Sequence, residues 1–232
     1  MTSLLCEQLM NFSTTDISVF YPMLRRLSVR DFKVRFANSL IKSDFFEHKD
    51  EIMEELKRRG FHIIFHGTCD MTPIAPAFYS EFDGEHAYDQ DPEHRQDQFF
   101  LGPTLEIMSA GPSEALFLGN ESANDQMTCR QLLRDIIGPT KPREGTPPDP
   151  SKGIEGTLRW IWYNRYYNDN YQMFDQLRAT NAIHGPRTVE EAIRESYMVF
   201  GHMYTTALLQ KYGCAAKGII PNKINVNGTI KD

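Results

Sequence analysis

Residues 47–66 constrain the fold more tightly than any other stretch. Over 47–59 a charged segment puts Ile52, Met53 and Leu56 on one face, the spacing of an amphipathic helix. Gly60 follows as a residue able to close that helix in the left-handed region. Phe61-His-Ile-Ile-Phe-His66 is then a run of β-formers. A helix that gives way to a strand this abruptly has to lay its apolar face on a sheet. Residues 32–41 alternate loosely and predict a preceding strand, so this part of the chain reads strand, helix, strand.

The remaining pattern extends this reading. A short helix is predicted at 72–79, with Pro73 in its first turn, and another at 99–109, interrupted early by Gly102-Pro103. Residues 113–118 form a predicted strand bounded by Gly111-Pro112 and Gly119. A helix over 125–137 follows, with Met127, Leu132, Leu133, Ile136 and Ile137 apolar. Residues 138–156 hold five prolines and four glycines and predict a long loop, a feature often tied to function in compact domains. The Trp/Tyr-rich stretch 157–174 fits more than one element type, and 181–184 reads as a short strand. The strongest helix is 188–211, where Thr188 and Glu191 have capping-box spacing and Gly213 ends the run. Together these predict an α/β (α+β) domain, a sheet with helices on one face.

The 232 residues suit one large domain or a domain with extensions. At 41% hydrophobic and 24% charged, the chain can build an ordinary core. The net charge of −6 argues against non-specific nucleic-acid binding, while leaving room for a local basic pocket. Cys6, Cys69, Cys129 and Cys214 form no CxxC pair, so a zinc ribbon or redox motif is not expected. With no long apolar run and no secretion-type start, the expected location is cytoplasmic, without a membrane partner.

Asn181-Ala-Ile-His-Gly185 carries the most chemical information. A histidine ends a short apolar segment, a glycine lets the backbone turn, and a capped helix follows. Glu195, in the second turn of that helix, is placed to reach back to one ring nitrogen of His184. That contact fixes the tautomer and leaves the other nitrogen as a nucleophile. A lone histidine is also a common structural residue, and that alternative stays open on these residues alone. Arg134, Thr140 and Arg159 flank the Pro/Gly-rich loop. Two guanidiniums and a hydroxyl suit phosphate oxygens, although single arginines more often serve as surface charges.

Five blocks in order resemble the nucleoside diphosphate kinases. Ile41-Lys-Ser-Asp44 with its following helix resembles I-K-P-D, and Ser109-Ala-Gly-Pro-Ser-Glu-Ala-Leu-Phe-Leu-Gly119 resembles the family's S-G-P strand. Arg134-Asp-Ile-Ile-Gly-Pro-Thr-Lys-Pro142 resembles R-x-x-x-G-x-T-x-P, Gly156-Thr-Leu-Arg159 resembles G-T-I-R, and Asn181-Ala-Ile-His-Gly185 resembles N-x-x-H-G. The resemblance implies a ferredoxin-like βαββαβ fold with a four-stranded antiparallel sheet. It implies a transferase in which phospho-His184 passes the γ-phosphate of a nucleoside triphosphate to a nucleoside diphosphate. Glu195 would orient the histidine, Lys42 would lie near the ribose hydroxyls and the transferred phosphoryl, and Tyr79 would lie near the histidine. Phe99 would stack on the base, Arg134, Thr140 and Arg159 would hold phosphates, and Asn181 would contact the ribose. Mg²⁺ would arrive on the nucleotide phosphates, with no protein metal motif.

The family reading divides the chain into an N-terminal extension (1–33), a domain (34–212) with insertions near 82–98, 143–151 and 160–180, and a tail (213–232). The acidic insertion 82–98 reads as a solvated loop, with a metal site as the alternative. The aromatic insertion and the extensions are candidate surfaces for a homo-oligomer or a protein partner. Pro186-Arg187 stands where the family has Ser-Asp, and the missing serine normally helps hold the glutamate. Arg187 is therefore expected to pair with Glu195 or with phosphate. A catalytically weak nucleotide-binding or scaffold module of the same fold is the competing functional expectation.

Overall fold

The computed structural model describes residues 4–78, 101–138, 156–166 and 182–212. Three short helices come first: α1 (Leu4–Met10), α2 (Ile17–Leu24) and α3 (Val29–Arg35). Strand β1 (Phe36–Ile41), a 3₁₀ turn (Ser43–His48), α4 (Lys49–Arg58) and β2 (His62–Cys69) follow. Then come α5 (Ala75–Phe78), α6 (Leu101–Ser109), β3 (Ser113–Gly119), α7 (Cys129–Ile137) and α8 (Leu158–Tyr166). Strand β4 (Ile183–His184) and α9 (Val189–Tyr212) complete the described chain.

The strands form one sheet in the order β2-β3-β1-β4, every neighbouring pair antiparallel. With α4 and α7 as crossovers this is the expected ferredoxin-like βαββαβ arrangement. The α4–β2 turn shows how closely sequence dictates it. Gly60 takes φ +85°, its N–H donates to Lys57 O (2.9 Å), and Phe61 N–H donates to Leu56 O (3.1 Å). These are the paired bonds of a Schellman cap. Both Leu56 and Phe61 are buried, so the cap also aims β2 into the sheet.

Helices cover both faces of the sheet, where the sequence pattern predicted one. On the first face Phe36, Leu40, Phe65, Ala115 and Phe117 join Phe20 and Leu24 of α2 and Val199 and Phe200 of α9. On the second, Ala37, Ile41, Leu116 and Leu118 join Ile52 and Leu56 of α4, Leu133 and Ile137 of α7, and Trp162 of α8. Every residue of β1 and β3 is buried as a result. A strand covered on both sides has no reason to alternate polar and apolar residues, which explains the weak alternation of its sequence.

The predicted strand at 32–41 begins four residues late. Ser28 caps α3 by accepting Asp31 N–H (3.1 Å), and the helix runs to Arg35. Phe32 and Phe36 then enter the same core one helical turn apart. The helix predicted at 125–137 starts at Cys129, because Thr128 and Gln131 form a reciprocal capping box there. At 72–79 only Ala75–Phe78 is helical among the described residues. The stretches 79–100, 139–155, 167–181 and 213–232 lie outside the described residues, and with them most of the insertions and the tail. Among the described residues no helix is long and apolar enough to cross a membrane.

Candidate active site

His184 closes β4, where it pairs with Leu40 of β1. The Ser39 hydroxyl donates to His184 O (2.6 Å) and ties the backbone of this two-residue strand to the sheet. Just before it, Ala182 adopts φ 61°, a left-handed conformation costing about 1–2 kcal/mol for a residue with a side chain. Its carbonyl accepts Lys42 N–H at 2.9 Å, which holds the turn in place. After it, Gly185 packs tightly on α7: a Cβ there would lie 2.6 Å from Ile137 Cδ1, so that side chain would have to shift.

Glu195, two turns into α9, brings both carboxylate oxygens to 3.0 Å from His184 Nε2. The carboxylate is acceptor-only, so Nε2 carries the proton and, in the neutral ring, Nδ1 carries the lone pair. Glu195 is 2% exposed. A buried carboxylate needs further donors, and Asn38 of β1 supplies one, Nδ2 donating to Glu195 Oε2 at 2.9 Å.

Three cationic residues converge on the backbone of 182–185. Lys42 donates its backbone N–H to Ala182 O. Arg159 donates Nε (3.2 Å) and Nη2 (2.9 Å) to Ile183 O, and Nη1 to Gly138 O (3.1 Å). Arg134 donates Nη1 to Gly185 O (3.2 Å). The positions follow from the fold: Lys42 leaves the end of β1, Arg134 sits in the last turn of α7, and Arg159 opens α8. Gly138, at φ +84°, packs so closely on Thr157 that a Cβ would lie 2.4 Å from its Oγ1, which brings the two ends of the Pro/Gly-rich segment together.

Burial shapes the electrostatics. It pulls the Lys42 ammonium down to about 7, with Asp44 opposing the shift and Arg159 reinforcing it. The Asp44 carboxyl is pushed up by burial, against the pull of Lys42. Arg134 is lowered by burial and by the neighbouring Arg187 and Arg130. For Glu191 burial acts upward, but the hydrogen bonds and charge of Arg187 outweigh it and leave the carboxyl below its ordinary value.

The family model for nucleoside diphosphate kinase matches residues 37–204. The chain belongs to the nucleoside diphosphate kinase family. A thioredoxin domain-containing protein 3 homolog of Ciona intestinalis is 29% identical over 171 residues, an overlap of 73% of this chain and 21% of that protein. The chain thus spans about a fifth of that relative's length. Among solved structures, the nucleoside diphosphate kinase of Borrelia burgdorferi, with bound vanadate and ADP, superposes at TM-score 0.51 and 16% identity over 71% of this chain and 85% of that one. The apo enzyme of Encephalitozoon cuniculi gives 0.48 and 17%, over 71% and 87%.

Within this family frame the structure brings His184, Glu195, Lys42, Arg134 and Arg159 to one turn. Tyr79, Phe99, Thr140 and Asn181 lie outside the described residues. One of the two partners expected for Arg187 is corrected: in place of Glu195 it meets Glu191, its N–H, Nε and Nη2 all donating to that carboxylate, with Nη2 at 3.0 Å. The reason is local, since Thr188 caps α9 through Glu191 N–H (3.1 Å) and so directs the Glu191 side chain back toward Arg187. The capping box is correspondingly half made, its carboxylate accepting from Arg187 N–H. Asn38 and Ser39 were not anticipated from sequence. The available signal was an amide at 38 sharing a strand face with Phe36 and Leu40, a polar group where packing calls for an apolar one.

Proposed function

We propose that this chain is a phosphotransferase that moves the γ-phosphate of a nucleoside triphosphate to a nucleoside diphosphate through phospho-His184. The observation that carries the reading is the histidine whose Nε2 is held by a buried carboxylate at 3.0 Å, within a turn ringed by Lys42, Arg134 and Arg159. The Nδ1 lone pair attacks the γ-phosphorus, the bond from that phosphorus to the bridging oxygen breaks, and the nucleoside diphosphate leaves with the electron pair. A second nucleoside diphosphate then attacks the phosphoryl group with a terminal phosphate oxygen and restores the ring. Glu195 stabilises the positive charge that develops on the imidazole as Nδ1 forms its bond.

Positioning and charge neutralisation supply most of the catalysis in phosphoryl transfer. Lys42, Arg134 and Arg159 are the donors assigned to the phosphates, with Tyr79 and Thr140 beside them, Asn181 on the ribose and Phe99 on the base. Stacking on an aromatic tolerates any base, so broad base acceptance is expected. These cationic side chains suit phosphate oxygens and not a metal ion, and among the described residues no group of three His, Cys, Asp or Glu is placed to hold one. Mg²⁺ is assigned to the incoming nucleotide, as part of the substrate, because that ion prefers phosphate and water oxygens. We place the domain at 34–212, with the flanking segments as extensions.

Steady-state kinetics test the scheme. With ATP varied at several fixed concentrations of a second nucleoside diphosphate, double-reciprocal plots should be parallel. Intersecting lines would require both nucleotides to be bound together, and nucleotide binding without turnover would return the chain to the scaffold reading.

A further inference from the structure

We propose that Asn38 is a positioning residue that holds the Glu195 carboxylate against His184, standing in for a hydroxyl that Pro186-Arg187 does not supply. The inference rests on the phosphohistidine reading and deepens it. Asn38 sits in mid-β1, in register with Phe117, on the face formed by Phe36, Leu40 and Phe117. It is 4% exposed, and its Nδ2 lies 2.9 Å from Glu195 Oε2. Its Oδ1 is buried with no hydrogen-bond partner among the described residues.

That arrangement is costly for the fold. An amide half-satisfied in an aromatic layer is inferior to a leucine of similar volume, because a buried polar atom loses water without replacement. Packing therefore gives no reason for an amide at this position, whereas Glu195 does. A buried carboxylate is held by the donors around it, and here the donors are His184 Nε2 and Asn38 Nδ2. The amide can point only one way, since a flip would set Oδ1 against the carboxylate. With the strand fixing Asn38 and Asn38 fixing Glu195, the acceptor for Nε2–H stays where the ring needs it while Nδ1 reacts.

The test uses Asn38→Leu, Asn38→Asp and Glu195→Gln, singly and combined, in the full chain. Asn38→Leu should fold with an unchanged or higher Tm and an unchanged KM for ATP, yet take up phosphate at His184 roughly tenfold more slowly. In the Glu195→Gln background the same change should cost less than about twofold, because Asn38 acts through Glu195. Asn38→Asp, isosteric but anionic, should be slow at neutral pH and recover as pH falls, when one carboxyl of the pair gains a proton and donates again. Nitrogen-15 NMR of the His184 ring should show a hydrogen-bonded Nε2–H in the wild type that is weakened in both Asn38 variants.

Wild-type rates and ring signals in the variants, or an equal loss with and without Glu195, would overturn the assignment. If the wild type takes up no phosphate, the phosphotransfer reading fails. The ring signals then still decide whether Asn38 fixes Glu195.

Discussion

The two faces of the central sheet solve different problems. The second face is largely aliphatic, built from Ile41, Ile52, Leu56, Leu116, Leu118, Leu133 and Ile137. The first is aromatic: Phe20 stacks on Phe65 with centroids 4.6 Å apart, and Phe200 meets Phe20 and Phe65 edge-on at 5.2 and 5.4 Å. Only the first face also carries the buried polar line Asn38–Glu195–His184. Helix α9 brings Phe200 to the core and Glu195 to the histidine from the same 24 residues. The position of the carboxylate is thus set by aromatic packing less than two turns away. The histidine and its carboxylate are tied to the packing of the first face, whereas the second face meets the site through Arg134 of α7 and Arg159 of α8 and leaves α4 remote from it.

Substitutions that empty each face should break or sharpen this contrast, and they carry the largest effects. Phe200→Ala should cost about 3–5 kcal/mol and Leu56→Ala about 2–5 kcal/mol, measured by denaturant unfolding. At a temperature where both remain folded, Phe200→Ala should also slow phosphate uptake severalfold, whereas Leu56→Ala should leave the rate of the folded fraction unchanged. Equal rates in the two variants would dissolve the distinction.

Next in size is Gly138→Ala, which places a Cβ against Thr157 in a backbone conformation, φ 84° and ψ −179°, that is essentially reserved for glycine and alone costs about 1–3 kcal/mol. Unfolding should show at least that loss, and isothermal titration should show weaker ATP binding, because Arg159 is anchored to Gly138 O.

A smaller effect concerns pH. Lys42, pulled down to about 7 by burial, is charged below that value and neutral above it. A polyanionic nucleotide favours the charged form, so ATP affinity should fall as pH rises through about 7. In Lys42→Arg that dependence should disappear, since a guanidinium keeps its charge throughout. An affinity that rises with pH in the wild type would contradict the assignment of Lys42 to the phosphates.

The smallest effect is expected for Arg187→Ala. Its side chain is 45% exposed and bonds Glu191, so the loss should stay within about 1 kcal/mol. Phosphate uptake should change little, because Glu195 is not its partner. A large fall in rate would reinstate Arg187 at the active site.

Much of this was legible in the chain itself. The four strands followed from β-rich runs bounded by Gly60, Gly111-Pro112 and Gly119, and the spacing from His184 to Glu195 matched the reach of a helix turning back on its own entry. Arg134 and Arg159 were readable as flanks of one loop. What escaped the sequence were contacts between distant segments. Asn38 lies 157 positions from Glu195, and no local pattern couples them. The Ser28-Val-Arg-Asp31 spacing of a helix cap was readable, but it competed with the loose alternation of 32–41, and only the contacts of Phe32 and Phe36 decide between them. The second helical layer was missed for a similar reason: the apolar residues of 17–27 fit a partner surface as well as a sheet face until the aromatic stack is seen.

The central claim is that His184 is the group that receives the phosphoryl. Its most direct test is incubation of the full chain with γ-labelled ATP and Mg²⁺, beside His184→Ala. The account predicts a label on the wild-type chain alone, lost in acid and chased off by an added nucleoside diphosphate. Equal labelling of both proteins, or a wild type that binds ATP and acquires no label, would contradict it.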